Sequence, residues 1–470
     1  MNGYLFHTDD DRREMLRSIG AESVQEIIDS QVPNELQMQQ PLELPPAADE
    51  WALESDMRGL AARNASVSSH LCFMGGGAYD HFVPAVVDEI ASRGEFYTSY
   101  TPYQAEVSQG NLQAMFEYET LVSEITGLDV SNASLYDGGS AATEAVLMAL
   151  ASVRKRNKVI TSDAVHPQYR QILETYLHQI GVELVVVSAS EQGTSEAIIE
   201  ALDDQTACVL IQHPNFYGRL EDVEKIAAVT HEQGGLLIQS FDPISTGLLK
   251  RPGDMGVDIA IAEGQCLGNP LQYGGPYLGI MACRQELMRR MPGRIAGQTT
   301  DRRGNRCWVL TLQTREQHIR REKATSNICS NQTLLALRAT IYLSLLGPQG
   351  LKETAEHCVV KTNLAREKFA ASERFEIVHP QPVFKEFLVR DLQGDVAGLL
   401  KHAQGQGLLA GVPMKDLDSR YEDCFLVAVT EKRTEAELDR LIETLQSAPA
   451  GRASDATACD SSDNITVQSV

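Results

Sequence analysis

The spacing of apolar residues divides the chain into stretches with different structural signals. Thr8 followed three residues on by Asp11 forms a capping-box pattern, and Met15, Leu16 and Ile19 give the helix it opens an apolar stripe that stops at Gly20. From Ala21 to Leu60 the chain is polar and broken by Pro33, Pro41, Pro45 and Pro46, so residues 1–65 read as an arm lying on a body and not as an independent core. From about Asn132 the pattern changes. Short apolar runs at 158–161, 183–187, 207–213, 235–239, 257–262 and 277–282 predict strands, and amphipathic stretches near 168–180, 195–202 and 222–232 predict helices between them. Strands with few charges, spaced by helices, predict a mostly parallel α/β sheet covered on both faces. A long amphipathic helix over 331–346 leads to a smaller α+β unit with strands at 375–378, 386–389 and 425–429. Its last helix opens at the capping box Thr434 to Glu437 and runs through Leu438, Leu441, Ile442 and Leu445. The Ala/Ser/Asp-rich residues after Ser447 read as a disordered tail.

In a parallel sheet, ligands sit at the carboxyl ends of the strands, and several chemically distinctive residues fall there. Gly138, Gly139 and Ser140 sit at a helix start, where free backbone N–H groups at the positive end of the dipole form a phosphate cradle; an ordinary glycine turn with Ser140 as N-cap fits the same residues. Asp242 follows a buried strand. A carboxylate there can keep a pyridine nitrogen protonated, or it can cap the turn before Pro243. His166 can stack on a flat ring or be satisfied within its own loop. The run Tyr97-Thr-Ser-Tyr100-Thr-Pro-Tyr103-Gln104-Ala-Glu106-Val-Ser108-Gln-Gly110 has neither helical nor strand periodicity, and its amphipathic aromatics suit an interface or a ligand mouth as well as a packed loop. Tyr273-Gly274-Gly275-Pro276 reads as a hairpin turn or as a place where another backbone approaches closely. Arg302, Arg303, Arg306, Arg315, Arg320 and Arg321 read as a solvated or interface surface.

Composition narrows the partners. The 470 residues carry a net charge of −23, from 41 basic and 64 acidic side chains, which argues against nucleic acid and against an anionic membrane surface. Nine cysteines without a CxxC pair read as reduced thiols, with no metal site. The amino terminus has no basic segment followed by an apolar one, and no apolar run is long enough to span a bilayer. The expectation is a cytoplasmic protein.

The order Gly-Gly-Ser, His, strand-terminal Asp and a further apolar strand resembles that of fold-type I pyridoxal-phosphate (PLP) enzymes. In that fold the segment Glu263-Gly-Gln265-Cys-Leu-Gly-Asn-Pro270 should hold the lysine that forms the Schiff base, and Gln265 is an amide. Three strings sharpen the resemblance: Tyr100-Thr-Pro-Tyr-Gln-Ala-Glu-Val-Ser-Gln-Gly110, the run from Gln265 through Gly275-Pro276-Tyr277-Leu278-Gly279, and His7-Thr-Asp with Met15, Leu16, Ile19 and Gly20. Over about residues 4–445 the chain resembles the glycine decarboxylase (P-protein) family, specifically its N-terminal-half subunit (subunit 1, α).

The resemblance implies a PLP-transferase-like large domain over 66–330, a linking helix and small domain over 331–447, and a tail over 448–470. It implies a subunit inactive alone. A homologous partner (subunit 2, β) would carry the PLP-binding lysine, in an α2β2 assembly that decarboxylates glycine and passes the aminomethyl group to the lipoyl arm of H-protein. Tyr97, Tyr100, Tyr103, Gln104, Glu106 and Ser108 would line the interface or site. Gly138, Gly139, Ser140, His166, Asp242 and Gln265 would be a relic cofactor site. The alternatives are a self-sufficient PLP enzyme using another lysine, for which Lys250 is the nearest candidate, and a non-catalytic scaffold.

Overall fold

The computed structural model describes residues 6–40, 42–153, 155–190 and 193–449, so the expected tail lies outside the described residues from position 450 on. Two compact units make up the chain: the described residues up to Asn64, and those from Ala65 on, which hold both main sheets. The first unit consists chiefly of the helices Asp9–Ser18, Val24–Gln31 and Glu50–Ala61, none of which buries a residue. The capping box is formed, with the Thr8 N–H donating to Asp11 Oδ2 at 2.8 Å.

The second unit is built on a seven-stranded sheet. Its strands are β1 (Val130–Ser131), β2 (Lys158–Ser162), β3 (Glu183–Val187), β4 (Thr206–His213), β5 (Leu236–Phe241), β6 (Ile259–Glu263) and β7 (Gly279–Cys283). They lie in the order β1-β7-β6-β5-β4-β2-β3. Strands β2 to β6 pair in parallel, whereas β7 runs antiparallel to both of its neighbours. Side chains alternate between the two faces. Leu210, Ile238, Ile259 and Ile261 pack with Ala141, Ala145 and Leu173 from the helices Gly138–Ser152 and Pro167–Ile180. Val209, Leu237, Ala260 and Ala262 pack on the other face, with Tyr118, Val122, Ile226 and Ala339. Both faces are therefore dry, which is why the strands read as unbroken apolar runs.

A helix spans Thr333–Ala370, interrupted at Gly347, whose φ of 58° and ψ of −175° break the spiral just before Pro348. The expected helix does end near Leu346. Pro348 then sits near the start of a second segment, where its missing N–H costs nothing. A four-stranded antiparallel sheet follows, with β8 (Phe375–Ile377), β9 (Glu386–Asp391), β10 (Val412–Pro413) and β11 (Cys424–Ala428) in the order β8-β9-β11-β10. Phe369, Phe387, Phe425, Leu438, Leu441 and Leu445 form its core. The residue preceding β9 is Lys385, and it points back toward the large sheet.

Among the described residues every cysteine is free, and no helix is long and apolar enough to cross a membrane. Arg315 is not surface decoration: its guanidinium is half-buried and donates to the carbonyls of Leu312 at 3.0 Å and Gly293 at 2.9 Å.

Candidate functional site

The carboxyl ends of the parallel strands converge as expected. The turn after β2 delivers His166, the end of β5 delivers Asp242, and β6 ends at Glu263, two residues before Gln265. The helix Gly138–Ser152 starts beside them. Between these ends lies a cavity of about 40 Å³, bordered by His166, Tyr169, Asp242 and Glu263 together with Tyr79, Lys385 and Glu386. That space holds a few waters at roughly 10–15 Å³ each; a second space of about 450 Å³ adjoins it, sharing His166, Tyr169 and Glu263 and bordered also by Asp137, Gly139 and Tyr277.

Asp242 has a partner from within the chain. Its Oδ1 accepts the Ile244 N–H at 3.0 Å and so caps the turn after β5, while Oδ2 lies 2.7 Å from Nζ of Lys385. The Lys385 side chain is 2% exposed. Its ammonium also approaches Nε2 of His81 at 2.9 Å and lies 3.6 Å from the centre of the Tyr79 ring. Burial works against the charge, yet the Asp242 carboxylate outweighs it and holds the lysine above its ordinary pKa. His81 Nδ1 reaches Glu431 Oε2 at 2.6 Å. Burial pushes that carboxyl up, but the His81 ring and the Phe82 N–H overcome it and leave Glu431 at about 2. The result is a buried chain of alternating partners running Asp242, Lys385, His81, Glu431.

The cradle is occupied in the same way. Asp137, not Ser140, is the N-cap of the helix, and its Oδ1 accepts the Ser140 N–H at 2.7 Å. The Gly138 N–H donates to Glu263 Oε2 at 3.0 Å, and Glu263 Oε1 accepts the N–H groups of Gln265 at 3.0 Å and Leu278 at 2.9 Å. Two of the three N–H groups expected to be free for a phosphate, those of Gly138 and Ser140, thus already face carboxylates. Burial, with Asp137 adding to it, raises Glu263 to about 7 against those three donors. The Tyr169 hydroxyl packs against Gly138, where a Cβ would overlap it. The same ring stacks on one face of His166 with centroids 4.6 Å apart and planes 16° apart. His166 Nε2 approaches the Gly76 carbonyl at 2.8 Å and Nδ1 accepts the Gln168 N–H at 3.2 Å; burial lowers its pKa to about 4, which keeps the ring neutral.

Gln265 is 1% exposed and does what a lysine could not. Its Oε1 accepts the Tyr79 N–H at 2.8 Å, while Nε2 donates to the Tyr79 carbonyl at 3.1 Å and the Asn269 carbonyl at 2.8 Å. An amide has both a donor and an acceptor for this; an ammonium has only donors. The strap that it fastens, Gly75-Gly76-Gly77-Ala78-Tyr79, is held a second time by Glu386. That carboxylate accepts the Gly76 N–H and the Tyr79 hydroxyl, each at 2.6 Å, and burial raises it to about 7.

The family model for the glycine cleavage system P-protein matches residues 2–445. The chain belongs to the glycine cleavage system P-protein family. It is 50% identical to a probable glycine dehydrogenase (decarboxylating) subunit 1 of Carboxydothermus hydrogenoformans, covering 94% of this chain and 99% of that protein. It is 47% identical to the protein of the same description from Desulforamulus reducens, with the same coverage. An inhibitor-bound crystal structure of glycine decarboxylase (P-protein) superposes with a TM-score of 0.87 at 39% identity, over 94% of this chain and 99% of that one. A sphingosine-1-phosphate lyase from Burkholderia pseudomallei, at 16% identity and a TM-score of 0.59, shares the fold alone. The fold is that of the PLP-dependent fold-type I enzymes.

Against that fold, this P-protein chain does not fit the cofactor. Asp242 is paired with Lys385, the cradle with Glu263 and Asp137, one face of His166 with Tyr169, and the lysine position with an amide. Lys385 is no substitute nucleophile, because its ammonium is charged and held by Asp242. Lys250 is exposed, pairs with Glu224 at 2.7 Å and does not border the cavity. The six residues Tyr97, Tyr100, Tyr103, Gln104, Glu106 and Ser108 also lie apart from it. Tyr97, Tyr100 and Tyr103 are 68%, 85% and 61% exposed. Tyr103 lies beside Arg294, 5.8 Å from its ring centre, and Gln109 anchors the end of the segment by accepting the Trp308 N–H at 2.9 Å.

Sequence reasoning did not single out Lys385, Glu386, Tyr79, Tyr169, His81 or the carboxylate of Glu263. Two signals for them were present. Lys385-Glu386 interrupts the otherwise apolar run Val383 to Val389, and Gly75-Gly76-Gly77 marks a backbone pressed close to something.

Proposed function

We propose that this chain is the lysine-free subunit of a two-subunit glycine dehydrogenase (decarboxylating). Together with a homologous partner (subunit 2, β) that carries PLP, it decarboxylates glycine, releases CO2 and passes the aminomethyl group to the lipoyl arm of H-protein. The single observation that carries this reading is the closed site: a member of the P-protein family whose own strand ends hold each other cannot host the chemistry itself, and so serves a site elsewhere. The description of its relatives as subunit 1 supports a second subunit. An α2β2 assembly in the cytoplasm is the arrangement we assign.

Its contribution is then a wall. Tyr97, Tyr100 and Tyr103, with Val107 at 79% exposure, are large side chains of one segment that are open to solvent. Amphipathic aromatics of this kind suit an interface that must exclude water from a reactive carbanion. Gln104, Glu106 and Ser108 supply polar groups along the same segment.

Mixing the purified chain with its lysine-bearing partner and PLP should restore exchange of bicarbonate into glycine, with neither subunit active alone. Tyr100→Ala should leave assembly intact, as read by size-exclusion chromatography, and lower exchange by about tenfold or more. Unchanged exchange in that variant would favour the scaffold reading.

A further inference from the structure

We propose that this chain has replaced the cofactor with its own side chains, and that Lys385 is the residue that excludes it. PLP presents three groups to a fold-type I site: a protonated ring nitrogen, a phosphate and an aldehyde. Each has a counterpart here. The Lys385 ammonium lies 2.7 Å from Asp242, where a protonated ring nitrogen would meet a carboxylate. The Glu263 carboxylate accepts the Gly138 N–H at 3.0 Å, where a phosphate would meet the helix start. The Gln265 amide binds the Tyr79 backbone in place of an imine. The Lys385 ammonium carries the sign of the group it stands for, and Glu263 takes the N–H that a phosphate would use.

The substitution is complete in the sense that matters for a buried charge. Lys385 has a carboxylate, an imidazole nitrogen and an aromatic face around one ammonium, so its polar demand is met without water. Its backbone belongs to the run that leads into β9, so the lysine also pins the four-stranded sheet to the end of β5. A cofactor placed here would have to displace this ammonium from Asp242 and take the Gly138 and Ser140 N–H groups from Glu263 and Asp137. His81 Nδ1 lies 2.6 Å from Glu431 Oε2 and Cys358 Sγ lies 3.7 Å from the same oxygen, so the three groups that are close enough to hold an ion already hold one another.

This inference deepens the reading that the cofactor resides on the partner, but it is tested on this chain alone, so failure of exchange activity and failure of this assignment are distinguishable. The probe is pyridoxamine 5′-phosphate, which has the ring and phosphate of the cofactor but cannot form a Schiff base with surface lysines. In equilibrium dialysis the wild-type chain should take up none at millimolar concentration. Lys385→Ala should bind it at least about tenfold more tightly than wild type. Lys385→Ala should also melt lower than wild type and be restored by n-butylammonium but not by tetramethylammonium, which cannot donate hydrogen bonds to Asp242 and His81. Should Lys385→Ala not accumulate as folded protein, refolding it with and without n-butylammonium gives the same reading: recovery with the amine supports the assignment, and no recovery overturns it. Wild-type uptake of pyridoxamine 5′-phosphate equal to that of the variant would overturn it, as would a folded variant that neither binds the probe nor responds to the amine.

Discussion

Gln265 shows how one side chain can look like a loss and act as a fitting. Its amide meets both the N–H and the carbonyl of Tyr79, and reinstating a lysine there would leave the Tyr79 N–H without an acceptor and add a second buried ammonium near Lys385. Gln265→Lys should therefore form no borohydride-trappable imine with PLP and should lose about 2–4 kcal/mol of stability in urea unfolding. Lys385→Met should cost about 3–5 kcal/mol, because it strands the Asp242 carboxylate. The double variant with Asp242→Asn should lose less than the sum of the two single changes, and a strictly additive cycle would show that the pair is not coupled. Asp242 and Gln265 were legible in the sequence because each lies next to its own strand end. Lys385 was not, because nothing local links it to Asp242; the two meet only when the turn into β9 is brought against the end of β5.

At the scale of elements, strands β2 to β6 were readable to within a residue or two, since burial on both faces leaves unbroken apolar runs. The direction of β7 was not. An apolar run carries no sign of whether it pairs parallel or antiparallel. The Asp137 cap was missed for a related reason: Asp137 and Ser140 are both good N-caps, and which one acts depends on where the preceding loop leaves the helix axis. The strap and the β9 turn depend on glycines. Gly218 has a φ of +84°, and a Cβ there would land on the Glu386 backbone carbonyl. Gly218→Ala should cost more than about 2 kcal/mol and loosen the β9 turn, seen as faster amide exchange at Lys385 and Glu386.

For the whole molecule, the closed site makes stability depend on pH in a defined direction. Glu263 is raised to about 7 when folded, against an ordinary value of 4.5. The folded chain therefore keeps a proton that the unfolded chain releases, so this contribution is full below about 4.5 and is lost as pH climbs through about 7. Relative to Glu263→Gln, the wild type should lose about 3 kcal/mol between those limits, measured by urea unfolding at a series of pH values. A difference that does not change with pH would mean that Glu263 is not raised. Family and sheet were legible over nearly the whole length, whereas the division of labour between subunits rests on side chains that no single segment reveals. The central claim is that this chain completes another subunit's site. Exchange of labelled bicarbonate into glycine tests it most directly, using the chain alone, the lysine-bearing partner alone and the two together with PLP. Activity in the mixture only is the predicted result. A partner that is fully active alone, or exchange by this chain alone, would contradict it.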